Sequence, residues 1–447
     1  MKGIVAATKN RFIYFVLLIL MVVVSGCGQP TGHTGENLTI SCDVAIVGKG
    51  MAAFTAALEA TQQGAQVLML VEPGVSAGGL LEEGVGVISQ KVVLDLAEGN
   101  DAVGENREGE GEPPPEYDQF SGKGWCFDLI TRSSYRDLNW LSREAGLKLL
   151  AKPPARYTFA NPPGVQKKLL EAVVARGVQV IEQVTITGIE ESESPPFFKI
   201  SLKPVEGLGE EVYARAVILA DGGYLNCPAM LKEYAPSVEA APWYLSGTGK
   251  GLQLARELQL DLVALDQFSY ILGVQKNGRW DKAVIPEEAL LITGREVGAV
   301  KGKSQEQLLM ALAGDKAGKG EGYLLVAESR LEDREKRELG WPVFTGIDSF
   351  MGHYRIDSSE LAYRFSRPGE RYRGIRIKAL ASYCLGGVAI DDNCRVLRQG
   401  NPVPGLFAAG EITGGLYERS PAPGIALAEA IVLGRRAGAE AAGWSQG

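Results

Sequence analysis

The chain has 447 residues, 45% of them hydrophobic, and its 54 acidic residues against 46 basic ones leave a net charge of −8. That balance argues against nucleic acid as a partner and offers no basic patch to anionic lipid, while the length suffices for a large core and two lobes. Two histidines and six cysteines, none spaced C-x-x-C, exclude multi-imidazole metal or catalytic chemistry, haem attachment and a zinc ribbon, and argue against a disulfide framework.

Residues 1–26 read as an export leader. Lys2, Lys9 and Arg11 form a basic end, and the apolar run from Phe12 to Val24 is shorter than the roughly 20 residues that span a bilayer. Val24-Ser25-Gly26-Cys27 resembles the lipobox of bacterial lipoproteins. The resemblance implies cleavage before Cys27, lipidation of that cysteine, and residues 27–40 as a tether to the extracytoplasmic membrane face. With no twin-Arg pair ahead of the apolar run, the chain is expected to cross unfolded and to meet any cofactor outside the cytoplasm.

The first folded unit is predicted over residues 41–234. Asp43 to Val47 is a β-branched strand, a helix follows from about Ala52 to Gln63, and a second strand ends at Glu72. Between strand and helix, Gly48-x-Gly50-x-x-Ala53 fits a dinucleotide fingerprint. Gly48 makes the turn, Gly50 admits a pyrophosphate to the helix N-terminus, and Ala53 lets helix and strand pack closely. Glu72, at the strand end, is placed to accept hydrogen bonds from an adenosine ribose and disfavours NADP.

Residues 97–122 are rich in Gly, Pro and acid and read as a solvated loop with no assigned function. Helical spacing returns in "RSSYRDLNWLSREAGLKLL", "VQKKLLEAVVARGVQVIEQVTITGI" reads as helix, glycine stop and strand, and "VYARAVILADGGYL" as a strand ending in Asp221-Gly222-Gly223. Turns and charges dominate residues 235–373, taken as an inserted α+β second lobe, and residues 374–447 return to the first unit.

Three apolar strands therefore end in small-residue turns: Val47 into Gly48, Leu219 into Ala220-Asp221-Gly222-Gly223, and Phe407 into Ala408-Ala409-Gly410-Glu411. Ligands of open α/β sheets lie at strand carboxyl ends. If the three strands are neighbours, one long ligand touches all three turns, which an extended FAD does and an NAD in a single crevice does not.

These segments, with "SAGGLLEEGVGVIS", "GTGKGLQLARELQL" and "LGGVAIDDNCRVL", resemble the FAD-dependent oxidoreductases that include fumarate reductases, succinate dehydrogenases and ketosteroid dehydrogenases. The resemblance implies an α/β fold: a Rossmann-like, glutathione-reductase-type FAD-binding domain with an inserted α+β capping domain. It implies that Gly48, Gly50 and Ala53 hold the pyrophosphate, Glu72 the ribose and Gly78-Gly79 the phosphate side. Ala220 would sit by the adenine, Gly222 and Gly410 in the cofactor turns, Glu411 at the ribityl chain, and Ala426 and Leu427 against the isoalloxazine. No histidine lies near Gly78-Gly79, so the FAD is expected to be non-covalent. Lys250, in Thr248-Gly249-Lys250-Gly251, reads as an exposed charge or as facing a phosphate or anion, with the exposed charge favoured.

On the substrate side the resemblance implies hydride transfer between flavin N5 and an activated carbon–carbon bond, with a carboxylate or enone substrate. The family's H-T-M-G-G appears as Tyr383-Cys384-Leu385-Gly386-Gly387 and its Q-x-H-P as Gln267-Phe268-Ser269-Tyr270. Pro421 stands where the family clamps a carboxylate with Arg, and Arg419 is the nearby replacement. Lys303 and Arg295 are the nearest matches to the cap's proton-relay Arg. Tyr383 and Tyr417 read either as phenolic acids toward a carbonyl-bearing substrate or as packing residues with a hydrogen-bonded tip. No electron-supplying domain is recognised, which implies a quinone or a redox partner. Two further readings stay open: a flavin-binding lipoprotein without turnover, acting as electron carrier or assembly partner, and an NAD-binding dehydrogenase, which the two extra glycine turns oppose.

Overall fold

The computed structural model describes residues 40–74, 85–86, 123–152, 156–204, 209–242, 247–293, 297–313, 320–417, 421 and 424–447. Cys27, the leader, Gly78, Gly79, the 97–122 loop, Arg295 and Arg419 lie outside them.

In chain order the first elements are β1 (Ile40–Val47), α1 (Met51–Gln62), β2 (Val67–Val71) and β3 (Val85–Gly86). Then come α2 (Gly124–Glu144), β4 (Leu149–Lys152), β5 (Arg156–Phe159), α3 (Pro162–Ala175), β6 (Gln179–Glu182), β7 (Ile186–Glu191), β8 (Phe198–Leu202) and β9 (Glu211–Leu219). The middle of the chain forms α4 (Pro228–Tyr234), α5 (Lys250–Glu257), β10 (Leu262–Val263), β11 (Phe268–Lys276), β12 (Arg279–Lys282), β13 (Leu290–Ile292) and β14 (Val297–Ala299). It continues with α6 (Gln305–Ala313), β15 (Glu321–Ala327), α7 (Asp333–Leu339), β16 (Val343–Phe344), α8 (Ile347–Tyr354) and α9 (Ser359–Phe365). The last elements are β17 (Tyr372–Cys384), β18 (Gly387–Val388), β19 (Arg395–Arg398), β20 (Asn401–Ala408) and α10 (Ile425–Gln446).

Two large sheets organise these elements. The first runs β19-β20-β9-β1-β2-β6, with the β7–β8 hairpin attached to β9. Its centre is parallel: β20, β9, β1, β2 and β6 all point the same way, while β19 pairs antiparallel with β20, β8 with β9, and β7 with β8. Every residue of β2 is buried, as expected of a parallel strand covered on both faces. The glycine-stop reading of α3 holds: the helix opens with Pro at its first position and ends at Gly177 with φ +83°, directly before β6.

Small residues decide how α1 packs. Met51 to Ala60 are all buried, because the helix lies between the sheet and α10. A β-carbon at Gly434 would meet the Ala52 carbonyl oxygen at 2.6 Å, and one at Gly438 would meet that of Ala56 at 2.4 Å. The two helices therefore touch backbone to backbone over one turn of spacing. Arg435 fixes the third member: its guanidinium reaches Glu59 of α1 and Asp137 of α2, both at 2.7 Å, and lies 4.3 Å over the Trp140 ring.

The second sheet, β12-β11-β17-β15-β13-β14 with β16 beside β17, is antiparallel throughout. The second lobe is expected over 235–373, and this sheet spans Phe268 to Cys384. The Gly251 N–H of α5 is held by Asp221 at the tip of β9, in the first sheet, and β10 pairs with β18 in a separate two-stranded sheet. At the far end β17 continues eleven residues past the expected limit, pairing as far as Phe268↔Cys384.

Candidate functional site

The three strand tips are neighbours. Val47, Leu219 and Ala408 lie side by side in register, and the chain leaves each through a glycine turn: Gly48 at φ +128°, Gly222 at φ +89° and Gly410 at φ +79°. The turns also touch. A β-carbon on Gly48 would fall 2.2 Å from the Ala220 carbonyl oxygen, one on Gly410 2.9 Å from the Ala52 β-carbon, and one on Gly223 2.8 Å from Glu411 Oε1. Segments read separately at residues 48, 220 and 410 thus make one floor at the carboxyl ends of the parallel strands.

The N-terminus of α1 opens onto that floor. Gly50 caps the helix without a side-chain bond, and no acid stands in the first turn. The first N–H used inside the helix is that of Phe54, on Gly50 O at 3.1 Å, which leaves the preceding N–H groups for a ligand. A β-carbon at Gly50 would meet nothing closer than Ala220 O at 3.9 Å, so an anion has room to approach. Donors, positive helix end and free space together suit a pyrophosphate. Ala53, fully buried, provides the close helix–sheet contact.

Glu72 sits where the sequence places it, at the end of β2. Its Oε1 accepts the Ile186 N–H at 2.6 Å, and burial holds its pKa above the ordinary range. Lys250 is half-buried rather than exposed, which corrects the sequence reading. Its charge acts on both Glu72 and Asp221, because α5 is drawn in by the Asp221–Gly251 bond of 2.8 Å. Asp221 itself is buried, Oδ1 has no hydrogen-bond partner, and burial pushes its pKa to about 7.

Glu411 is buried at the tip of β20 and its Oε1 accepts the Cys384 N–H at 2.9 Å. Burial, with Glu411 nearby, raises the Cys384 thiol well above its usual pKa, so it is a neutral, inert thiol. Ala426 and Leu427 form the buried first turn of α10, entered through Gly424 at φ +89°.

Tyr383 and Tyr417 point away from a role as acids. Both are buried, and both hydroxyls donate to Oε2 of Glu429, at 3.1 Å and 2.8 Å. Burial first, then the Glu429 charge, pushes each phenol well above its ordinary pKa. Of the two sequence readings, the hydrogen-bonded packing residue is the one the structure fits. Lys303 is exposed beside the edge strand β14, at the other side of the second sheet from β11, and does not reach this region.

Two residues of this region escaped the sequence reading as candidates. Glu429 left one signal, a lone acid inside the apolar helix "IALAEAIVLG". Ser269 lies on β11 directly opposite Tyr383, and its buried Oγ has no hydrogen-bond partner. Among the described residues no group of three or more His, Cys, Asp or Glu is placed to hold a metal ion.

The family model described as an FAD binding domain matches residues 333–427. The NADH:fumarate oxidoreductase of Klebsiella pneumoniae (strain 342) is 21% identical over 91% of this chain and 48% of its own length. The chain spans about half the length of the first curated relatives it matches, 48% and 44%. Among solved structures, the open conformation of a flavocytochrome c3 fumarate reductase superposes with a TM-score of 0.67 at 19% identity, over 91% of this chain and 79% of that one. A 3-ketosteroid delta1-dehydrogenase from Sterolibacterium denitrificans superposes with a TM-score of 0.66 at 14% identity, over 90% and 99%.

Proposed function

We propose that this chain is an FAD-dependent oxidoreductase related to the fumarate reductases and ketosteroid dehydrogenases, and that it reduces an activated carbon–carbon double bond or forms one by dehydrogenation. The observation that carries the reading is the convergence of Gly48, Ala220 and Gly410 on the open N-terminus of α1. One extended dinucleotide accounts for all three turns; a ligand confined to one crevice does not.

When bound, FAD supplies the two-electron chemistry at N5 of its isoalloxazine. The residues of the chain bind and orient. The α1 N-terminus would take the pyrophosphate charge, Glu72 would accept from the ribose and Glu411 from the ribityl hydroxyls, and the buried first turn of α10 would keep water from the ring.

On the substrate side, β11 and β17 cross from the second sheet toward the first and bring Ser269 and Tyr383 face to face. The unpartnered Ser269 hydroxyl is a ready partner for a carbonyl or carboxylate oxygen of the substrate. Pro421 stands where the resembling enzymes clamp a carboxylate with Arg, which favours an enone or monocarboxylate enoate over a dicarboxylate.

The leader and the lipobox-like residues 24–27 support an exported protein anchored through Cys27, with a membrane quinone or a redox partner supplying electrons. The reaction is tested by photoreducing the FAD-loaded protein and mixing it with fumarate, urocanate, other enoates and enones. Reoxidation by at least one of them is expected. Reoxidation by none favours the carrier without turnover.

A further inference from the structure

Glu429 lies one turn into α10 with no exposed surface. A carboxylate buried without compensation costs several kcal/mol, so its surroundings need an explanation. In place of a cation it has two phenols, Tyr417 and Tyr383, both donating to Oε2. The other groups that face it are Glu411 at the tip of β20, Thr413 two residues further, Cys126 of α2 with Lys123 behind it, and Cys394 before β19.

Its partners give the arrangement a purpose. Tyr383 precedes Cys384, whose N–H is held by Glu411 at 2.9 Å. Two buried carboxylates rooted beside the parallel sheet thus grip adjacent residues at the end of β17, the strand at the heart of the second sheet. Tyr417 ends the described stretch 409–417 after β20, so the same Oε2 also ties that stretch to the helix.

We propose that Glu429 is a positioning residue of the site. Through Tyr383 and Tyr417 it fixes the end of β17 and the segment after β20 against the first turn of α10, the wall beside which flavin and substrate would meet. The inference rests on the flavoprotein reading of that wall.

The hold depends on a proton. A carboxylate accepts from both phenols, whereas a protonated acid is the weaker acceptor and carries a proton of its own to place. Burial pushes Glu429 up to about 7 and the nearby Glu411 charge adds to this, while the two phenols oppose it. The wall is therefore held most firmly above neutrality and loosens below it.

The test uses FAD-loaded wild type, Glu429→Gln, Glu429→Asp, Tyr383→Phe and Tyr417→Phe. Visible circular dichroism of the flavin and FAD affinity are followed across pH, with thermal melts to establish folding. Wild type should show a step centred near neutrality. Glu429→Gln should bind FAD without the step, and Glu429→Asp should restore it at a displaced pH. Each phenol variant should move the step upward, because the charged form loses a donor, and weaken FAD by roughly fivefold above it, the equivalent of one buried hydrogen bond. A step that survives in Glu429→Gln, or one that both phenol variants leave in place, overturns the proposal. Failure of wild type to take up FAD overturns instead the flavoprotein reading beneath it.

Discussion

Gly48 and Ala220 are in backbone contact across neighbouring strands: a β-carbon on Gly48 would lie 2.2 Å from the Ala220 carbonyl oxygen. Nothing at that distance is a flexible side chain that can swing away, and φ at Gly48 is +128°, a conformation that L-residues rarely adopt. The first glycine turn and the tip of β9 are one surface because of this contact.

Gly48→Ala should therefore push the two turns apart and abolish FAD binding, with a folding defect of several kcal/mol. Gly188→Ala is the control, since a β-carbon there meets nothing within 4 Å and φ is ordinary. Flavin absorbance of the purified variants, with urea titrations, separates the two. A Gly48→Ala protein that keeps full FAD affinity contradicts the cradle.

Glu72→Ala should weaken FAD about tenfold, the loss expected when a charged acceptor for ribose hydroxyls is removed. The exposed Glu171, paired with Lys167 on the surface of α3, should change affinity little when replaced by Ala. Fluorescence titration of apoprotein with FAD measures both.

Ser269 gives a prediction with opposite signs for stability and catalysis. Its buried hydroxyl has no partner, so Ser269→Ala should leave the ligand-free protein as stable as wild type or up to about 1 kcal/mol more stable. Once a reoxidising substrate is found, the same variant should raise KM or lower kcat/KM about tenfold while FAD content stays constant. A variant that reoxidises like wild type removes Ser269 from the substrate side.

The stability of the apoprotein should fall as pH rises. Asp221 and Glu429 are both pushed up to about 7 in the folded state, above ordinary Asp and Glu, so the folded chain binds more protons than the unfolded one between the carboxylate range and neutrality. Their contribution is fully present at acid pH and lost as pH climbs through about 7, by roughly 3 to 4 kcal/mol each at most. Thermal melts across that window should show a declining Tm that flattens in Asp221→Asn and Glu429→Gln. A Tm that rises through the window in wild type would refute the burial argument.

The cofactor half of this site was legible because glycine turns are local: Gly48, Gly222 and Gly410 announce themselves by composition, and strand tips in a parallel sheet must face one edge. The rest was not local. Tyr383 and Tyr417 lie 46 and 12 positions from the carboxylate that claims their protons, so the sequence left their role open. The course of β17 is not local either. β17 carries one strand pattern from Tyr372 to Cys384, and only its pairing with β11 shows which sheet it serves. Lys250 reads as a surface charge until the Asp221–Gly251 bond draws α5 inward.

The measurement that bears most directly on the central claim is the flavin content of the purified protein. The protein should be yellow and hold about one FAD per chain, released by denaturation because the attachment is non-covalent. A colourless protein that takes up no FAD but binds NAD would contradict it.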